Sequence, residues 1–305
     1  MHNFVKNIIK SIQPLRRVVN YIRINRNLNA IASYPITNYK IKSFIRFLNN
    51  YYPDLHINYL DIGASGGLED SRIPLFKYFN NKTLHGIECD EELANELKST
   101  YGYDKVFTKF VGIKNGSETA YILNWKVCSS IKEPNIEEFK RMDPNWVQWI
   151  TLDKTISIET ETLSHICGST CSYDWMKLDT EATEYEVLTS LPQSWFDRLQ
   201  AIDIHTMSIS THKTNSDISD ILTFMKQKDF YPLKYHFYPL YAEMDCVCNI
   251  MFVKGPWNIY CLEDVLKHCL MGMLQKKPYY VSYILNRYTS LFPNDQAFRS
   301  ILRFV

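Results

Sequence analysis

In Tyr59-Leu60-Asp61-Ile62-Gly63-Ala64-Ser65-Gly66-Gly67 an apolar strand ends in an acid and breaks into small residues. The chain has only 10 glycines in 305 residues, so three within five positions need a cause. A second strand, Leu84-His85-Gly86-Ile87, follows and runs into Glu88. Glycines let the backbone turn sharply and approach a ligand closely. An acid at the second strand tip can accept hydrogen bonds from both hydroxyls of a ribose. Together these features describe a site for an adenosine-containing cofactor at the carboxyl ends of the first two strands of an α/β sheet.

The turn also restricts the cofactor. A nicotinamide dinucleotide needs Gly-x-Gly-x-x-Gly, whose second glycine lets the pyrophosphate touch the backbone. Ser65 stands at that position, and the phosphate-binding Gly-x4-Gly-Lys-Ser/Thr loop does not occur. An acid-x-Gly-x-x-Gly turn headed by Asp61 suits a cofactor that carries an ammonium group and no pyrophosphate. S-adenosylmethionine has that group and a sulfonium besides.

From residue 56 short strands alternate with helices. The pattern predicts strands near 57–61, 83–88, 105–110, 174–178, 199–205, 230–236 and 246–253, and helices near 68–79, 90–100, 183–190 and 216–228. Asp90 followed by Glu91 and Glu92 suits a helix start, where carboxylates meet the positive end of the dipole. The fold class is α/β: a mostly parallel seven-stranded sheet with helices on both faces. The segment 112–172 is less regular, with strand signals at 118–124 and 155–159. An insertion of this size is a common place for substrate recognition.

A second constellation starts at Trp175-Met176-Lys177-Leu178-Asp179-Thr180-Glu181-Ala182-Thr183-Glu184. An apolar strand delivers Asp179 to the carboxyl edge, where open α/β sheets bind ligands, so Asp179 and Glu181 should face the crevice of Gly63 and Glu88. Glu184 and Glu186 read as acids at a helix start.

These two motifs, with Ser129-Ser130-Ile131-Lys132-Glu133-Pro134-Asn135 and Thr162-Leu163, resemble the FkbM family of S-adenosylmethionine-dependent methyltransferases over roughly residues 56–254. The resemblance implies a class I, Rossmann-like methyltransferase fold with an antiparallel terminal hairpin. It also implies transfer of methyl to hydroxyl oxygens, often of sugars or secondary metabolites. In that picture Asp61, Gly63, Ala64, Ser65 and Gly66 line the cofactor, Glu88 holds its ribose, and Asp179 and Glu181 border the acceptor. The chain departs from the family at Ala182, where glycine is usual.

A sulfonium methyl is already electrophilic, so the protein mainly has to align the reacting atoms. A sugar hydroxyl is a poor nucleophile, and Asp179, Glu181 and His205, the last at the end of its strand, are candidates to take its proton. A divalent ion on Asp179 and Glu181 is the alternative, and the sequence leaves the two open. Trp146, Trp149, Tyr235, Phe237, Tyr238 and Tyr241 could stack on sugar rings or fill a lid, and most are expected to pack in the core.

The net charge of +1 conceals an asymmetry. Residues 1–53 carry nine bases and no acid, leaving 25 bases against 33 acids in the rest. Stripes at Val5, Ile8, Ile9, Ile12, at Leu15, Val18, Val19, Ile22 and at Ile41, Phe44, Ile45, Leu48 read as amphipathic helices. The expected organisation is a basic helical segment 1–53, a methyltransferase domain 54–256 and a C-terminal helical extension 257–305. Apolar stripes at Leu262–Met273 and Val281–Tyr288 fit core packing or a homodimer contact.

The basic segment suggests an anionic partner, an acidic polymer or a membrane contacted peripherally through residues 1–50, or else a helical cap whose bases pair with the acidic body. No spanning segment or signal peptide is evident, and eight irregularly spaced cysteines fit a reducing cytoplasm. The expected partner is a glycan or small-molecule hydroxyl acceptor. A catalytically silent cofactor-binding scaffold is the rival reading. Nucleic-acid methylation ranks last, because the basic region lies outside the catalytic core and the Asn/Asp-Pro-Pro-aromatic tetrapeptide is missing.

Overall fold

A computed structural model describes residues 36–289 and 300–304, except 143, 208–210, 214–215, 242–243 and 260. The first two N-terminal stripes lie outside the described residues. The strands are β1 Ile57–Ile62, β2 Lys82–Ile87, β3 Lys105–Phe107, β4 Phe110–Val111, β5 Gly116–Leu123, β6 Leu152–Glu161, β7 Trp175–Leu178, β8 Ala201–Met207, β9 Phe230–Tyr241 and β10 Met244–Lys254. Seven form one sheet in the order β3-β2-β1-β7-β8-β10-β9. The first five are parallel, and β10 runs antiparallel to both β8 and β9.

Side chains alternate across a strand, and the sheet divides its core accordingly. Leu60, Ile62, Met176, Leu178, Ile202, Ile204, Ile250 and Phe252 face one way, against helices Glu184–Ser190, Gln193–Arg198 and Ile218–Gln227. Tyr59, Trp175, Ala201, Met251 and Val253 face the other way, against helices Asn38–Tyr51, Glu91–Ser99, Leu262–Leu274 and Pro278–Tyr288. The third stripe is confirmed, since Ile41, Phe44, Ile45 and Leu48 are all buried in this second layer. No helix among the described residues is long and apolar enough to cross a membrane.

Three expectations need correction. The helix expected near 68–79 is broken into Gly67–Asp70 and a 3-10 turn, Pro74–Tyr78. Pro74 lacks an N–H and forces Ile73 out of helical geometry, to φ −130° and ψ 46°. The strand expected at 105–110 stops at Phe107, and Phe110–Val111 leaves the main sheet to pair with β6. With β5 it builds a separate three-stranded sheet from the insertion. Of the aromatic residues expected in the core, Trp149, Tyr235 and Phe237 are exposed, while the side chains of Trp146, Tyr238 and Tyr241 lie outside the description. Tyr235 and Phe237 stand on the edge strand β9, and their rings stack on each other.

Candidate active site

Register sets the site. Ile87, Ile62, Leu178 and Ile204 lie side by side on β2, β1, β7 and β8. The next residue on each strand is Glu88, Gly63, Asp179 and His205, and Asn249 of β10 pairs with His205. Five residues distant in sequence thus form one row along the carboxyl edge of the sheet. His205 lies within β8, not after its end, because that strand extends two residues past Asp179 of its neighbour.

Two residues back on each strand, on the same face, a second row carries Asp61, Lys177 and Asp203. Lys177 ties the rows together. Its ammonium donates to the Gly63 carbonyl at 2.7 Å and stands 3.4 Å from Asp61 and 3.5 Å from Asp179. Burial alone lowers a lysine's pKa, yet Asp61, Asp179 and Asp203 together raise it above the usual range. Tyr103 donates to the other Asp61 oxygen at 2.5 Å. Its ring fits because β2 carries Gly86, where a Cβ would come within 3.1 Å of it.

The glycine turn follows from this packing. Gly63 has φ +68°, and a Cβ there would fall 2.1 Å from the Asp179 carbonyl, so only glycine fits. Gly66 is also left-handed and opens the short helix Gly67–Asp70; Ala64 is buried and Ser65 exposed. Glu88 is buried, with Oε1 accepting from the Asp90 N–H at 3.0 Å and from the Cys89 thiol. Its Oε2 has no hydrogen-bond partner among the described residues.

Beyond Asp179 the chain turns through two left-handed residues, Glu181 at φ +52° and Ala182 at φ +78°. The family's usual glycine at 182 matches this geometry, and alanine adopts it under strain. Ser130, from the serine-rich segment, donates its hydroxyl to the Glu181 carbonyl and braces the turn. Asp179, Glu181 and His205 bring ligand-type atoms within 4.8 Å of one another. His205 Nδ1 lies 3.0 Å from Asn249 Oδ1.

The charges perturb one another. Burial pushes the Glu181 carboxyl up to about 8, with Asp179 and Glu184 adding to the shift against His205 and Lys177. Burial raises Glu184 to about 7, and Asp203 to about 6 against the pull of Arg72 and Lys177. Burial also acts to raise Asp179, but His205 and Lys177 outweigh it and hold its carboxyl below the ordinary value. For His205 the three nearby carboxylates overcome burial and raise the imidazole. A narrow crevice opens beside Glu181, Glu184, Tyr185 and His205.

Every sequence-predicted site residue therefore lies at or directly beneath one edge of the sheet. Sequence reasoning missed Lys177, Tyr103, Asp203 and Asn249, and it took Glu184 for a helix-start acid alone. Glu184 does accept from the Thr180 N–H, but it is also buried next to His205. One signal was available: a lone lysine inside the apolar run Trp175–Leu178 has to find a counter-charge.

Strand order 3-2-1-4-5-7-6, counted within the main sheet, with a cofactor-type turn after the first strand, defines the class I methyltransferase fold. Residues 61–232, more than half of the chain, match the methyltransferase FkbM domain, and the protein belongs to that family. No curated protein matches it. Solved structures similar to it include magnesium protoporphyrin IX methyltransferase (ChlM) from Synechocystis PCC 6803 with bound SAM, at 9% identity over 75% of this chain and 90% of that one, TM-score 0.35. TrmK of M. capricolum with S-adenosyl-homocysteine follows at 12% identity over 88% and 94%, TM-score 0.33. TYW2 of M. jannaschii with AdoMet has 12% identity over 73% and 80%, TM-score 0.32. The assignment rests on the strand order and the family match, not on these likenesses.

Proposed function

We propose that the protein transfers a methyl group from S-adenosylmethionine to a hydroxyl of a sugar, a glycoconjugate or a secondary metabolite. The row Glu88–Gly63–Asp179–His205 carries this reading, because it puts a cofactor cradle and a proton-accepting cluster side by side. The residues suit the cofactor. Asp61 Oδ1 is a buried acceptor without a hydrogen bond beneath the glycine turn, 3.4 Å from the Lys177 ammonium. Glu88 Oε2 is available to ribose hydroxyls.

When bound, S-adenosylmethionine supplies a methyl already made electrophilic by its positive sulfur. What remains falls to the chain. Lys177 fixes the Gly63 carbonyl and thereby the turn that seats the donor. The acceptor lies beside His205, and the cluster of Asp179, Glu181 and His205 promotes loss of the hydroxyl proton as the oxygen–carbon bond forms and the carbon–sulfur bond breaks, its electron pair staying on sulfur. Positioned proton transfer of this kind contributes about 10²–10⁴-fold.

The test is calorimetry with S-adenosylmethionine followed by transfer of labelled methyl to a panel of deoxysugars, polysaccharides and small alcohols. One bound cofactor per chain and an O-methylated product by NMR are expected. Methyl found on nitrogen or carbon would refute hydroxyl transfer. Cofactor binding without turnover on any acceptor would favour a silent scaffold.

A further inference from the structure

The cluster at the carboxyl edge has more buried carboxyl groups than described cations around it. Asp61, Asp179, Glu181 and Asp203 face Lys177, His205 and Arg72, and Glu184 adds to the acidic side. Glu181 Oε2 is shut off from solvent with no hydrogen-bond partner, and so is Oδ1 of Asp203, a residue more than nine-tenths buried on the same sheet face. A buried carboxylate oxygen left in this state needs a proton or a cation.

The geometry favours a cation. Two carboxylates and an imidazole offer an O₂N donor set suited to a divalent ion such as Mn²⁺ or Mg²⁺. Ligands about 2.1 Å from such an ion stand up to about 4.2 Å apart. The observed spread, within 4.8 Å, closes with small side-chain rotations. The surroundings orient the ligands as metal sites do. Asn249 Oδ1 accepts from His205 Nδ1, so the proton an incoming ion displaces is the one on Nε2, and Ser130 holds the strained Glu181 backbone in place.

We propose that Asp179, Glu181 and His205 form a divalent-cation site whose remaining coordination positions face the acceptor crevice and receive the acceptor hydroxyl. The role at the acceptor rests on the methyl-transfer reading; the binding of the ion does not.

The test uses the full chain stripped with a chelator and titrated with Mn²⁺, free ion being read by electron paramagnetic resonance. One Mn²⁺ per chain is expected, displaced by excess Mg²⁺ and weakened at least tenfold in Glu181→Gln and in His205→Ala. Glu181→Gln keeps the side-chain shape, so it carries the test if His205→Ala does not fold. Absence of saturable binding in the wild type overturns the site, as does equal affinity in wild type and Glu181→Gln. Calorimetry with S-adenosylmethionine on the same samples separates the two claims. Cofactor binding without Mn²⁺ binding sinks the ion site alone, whereas Mn²⁺ binding without cofactor binding sinks the methyl-transfer reading and leaves the site standing.

Discussion

Strand β7 is flanked by two buried ionic clusters of opposite character. At its amino end Asp174 is 1% exposed and completely engaged. Its Oδ1 meets Lys267 at 2.8 Å and Arg198 at 2.7 Å, while its Oδ2 accepts from the Asn58 N–H at 2.9 Å. Lys267, itself 0% exposed, also pairs with Glu263. No buried side-chain atom of Asp174, Lys267 or Glu263 lacks a hydrogen bond. Five residues later, the cluster around Asp179 leaves Asp61 Oδ1, Glu181 Oε2, Asp203 Oδ1 and Asn249 Nδ2 without hydrogen bonds. A saturated cluster fixes a helix to a sheet. An unsaturated one, in a fold that can satisfy its polar groups a few residues away, is arranged for something that binds.

The strongest challenge to this contrast is to exchange the effects. His205→Ala should lower kcat by about 10²–10⁴-fold while changing stability by less than roughly 1.5 kcal/mol. Initial-rate kinetics and urea denaturation on the same preparation measure both. A variant that unfolds easily but turns over normally when folded would move His205 into the structural class. The converse substitution lies at the other end of the strand. Lys267→Met leaves Asp174 with Arg198 as its one remaining cation among the described residues and should remove about 3 kcal/mol of stability, the low end for breaking a buried pair. Its affinity for S-adenosylmethionine, measured under native conditions, should stay within about twofold of wild type. A large loss of affinity would mean that the two clusters communicate through β7.

The unsaturated cluster also predicts a pH dependence. Burial raises the carboxyls of Glu181, Glu184 and Asp203, to about 8, 7 and 6, so the native state keeps protons that the unfolded chain releases near its ordinary carboxyl values. Stability must therefore fall as pH rises from about 5 to 8. His205, also raised, contributes with the same sign, since stabilisation present below its unfolded pKa is lost as pH rises through the folded one. In chelator the decline should be on the order of several kcal/mol by chemical denaturation, and shallower in Glu181→Gln. A flat profile in wild type would show that these carboxyls are already compensated. At the cofactor side the expected effect is smaller. Glu88→Gln can keep the bond from the Asp90 N–H but loses one acceptor for ribose, so calorimetry should show affinity weakened about tenfold, near 1.4 kcal/mol.

How much of this was legible follows the same division. The glycine turn, Glu88 and Asp179 were readable because strand ends, turns and terminal acids are local features. The row they form was not, since it depends on register between strands far apart in sequence. Lys177 and Gly63, 114 residues apart, meet only because Leu178 pairs with Ile62. Asp174 looked unremarkable for the same reason, its partner being 93 residues away on a C-terminal helix. The insertion's own sheet was half legible: the alternation at 155–159 marked a strand, but nothing local said that Phe110–Val111 would abandon the main sheet to join it.

Ala182 offers the finest test of whether strain at the carboxyl edge serves the site. At φ +78° a Cβ carries a penalty of about 1–2 kcal/mol that glycine avoids, although glycine also gains entropy in the unfolded chain. Ala182→Gly should therefore stabilise the protein by a net 0.5–1 kcal/mol or so, seen as a modest rise in Tm. The amino-end cluster has no such left-handed residue to relax, so the gain belongs to the Asp179 side alone. Activity decides what the strain is for. If Ala182→Gly is more stable and equally active, the alanine is a tolerated departure from the family's glycine. If stability rises while kcat falls, the stiffer residue is what keeps the neighbouring Glu181 pointed at Asp179 and His205.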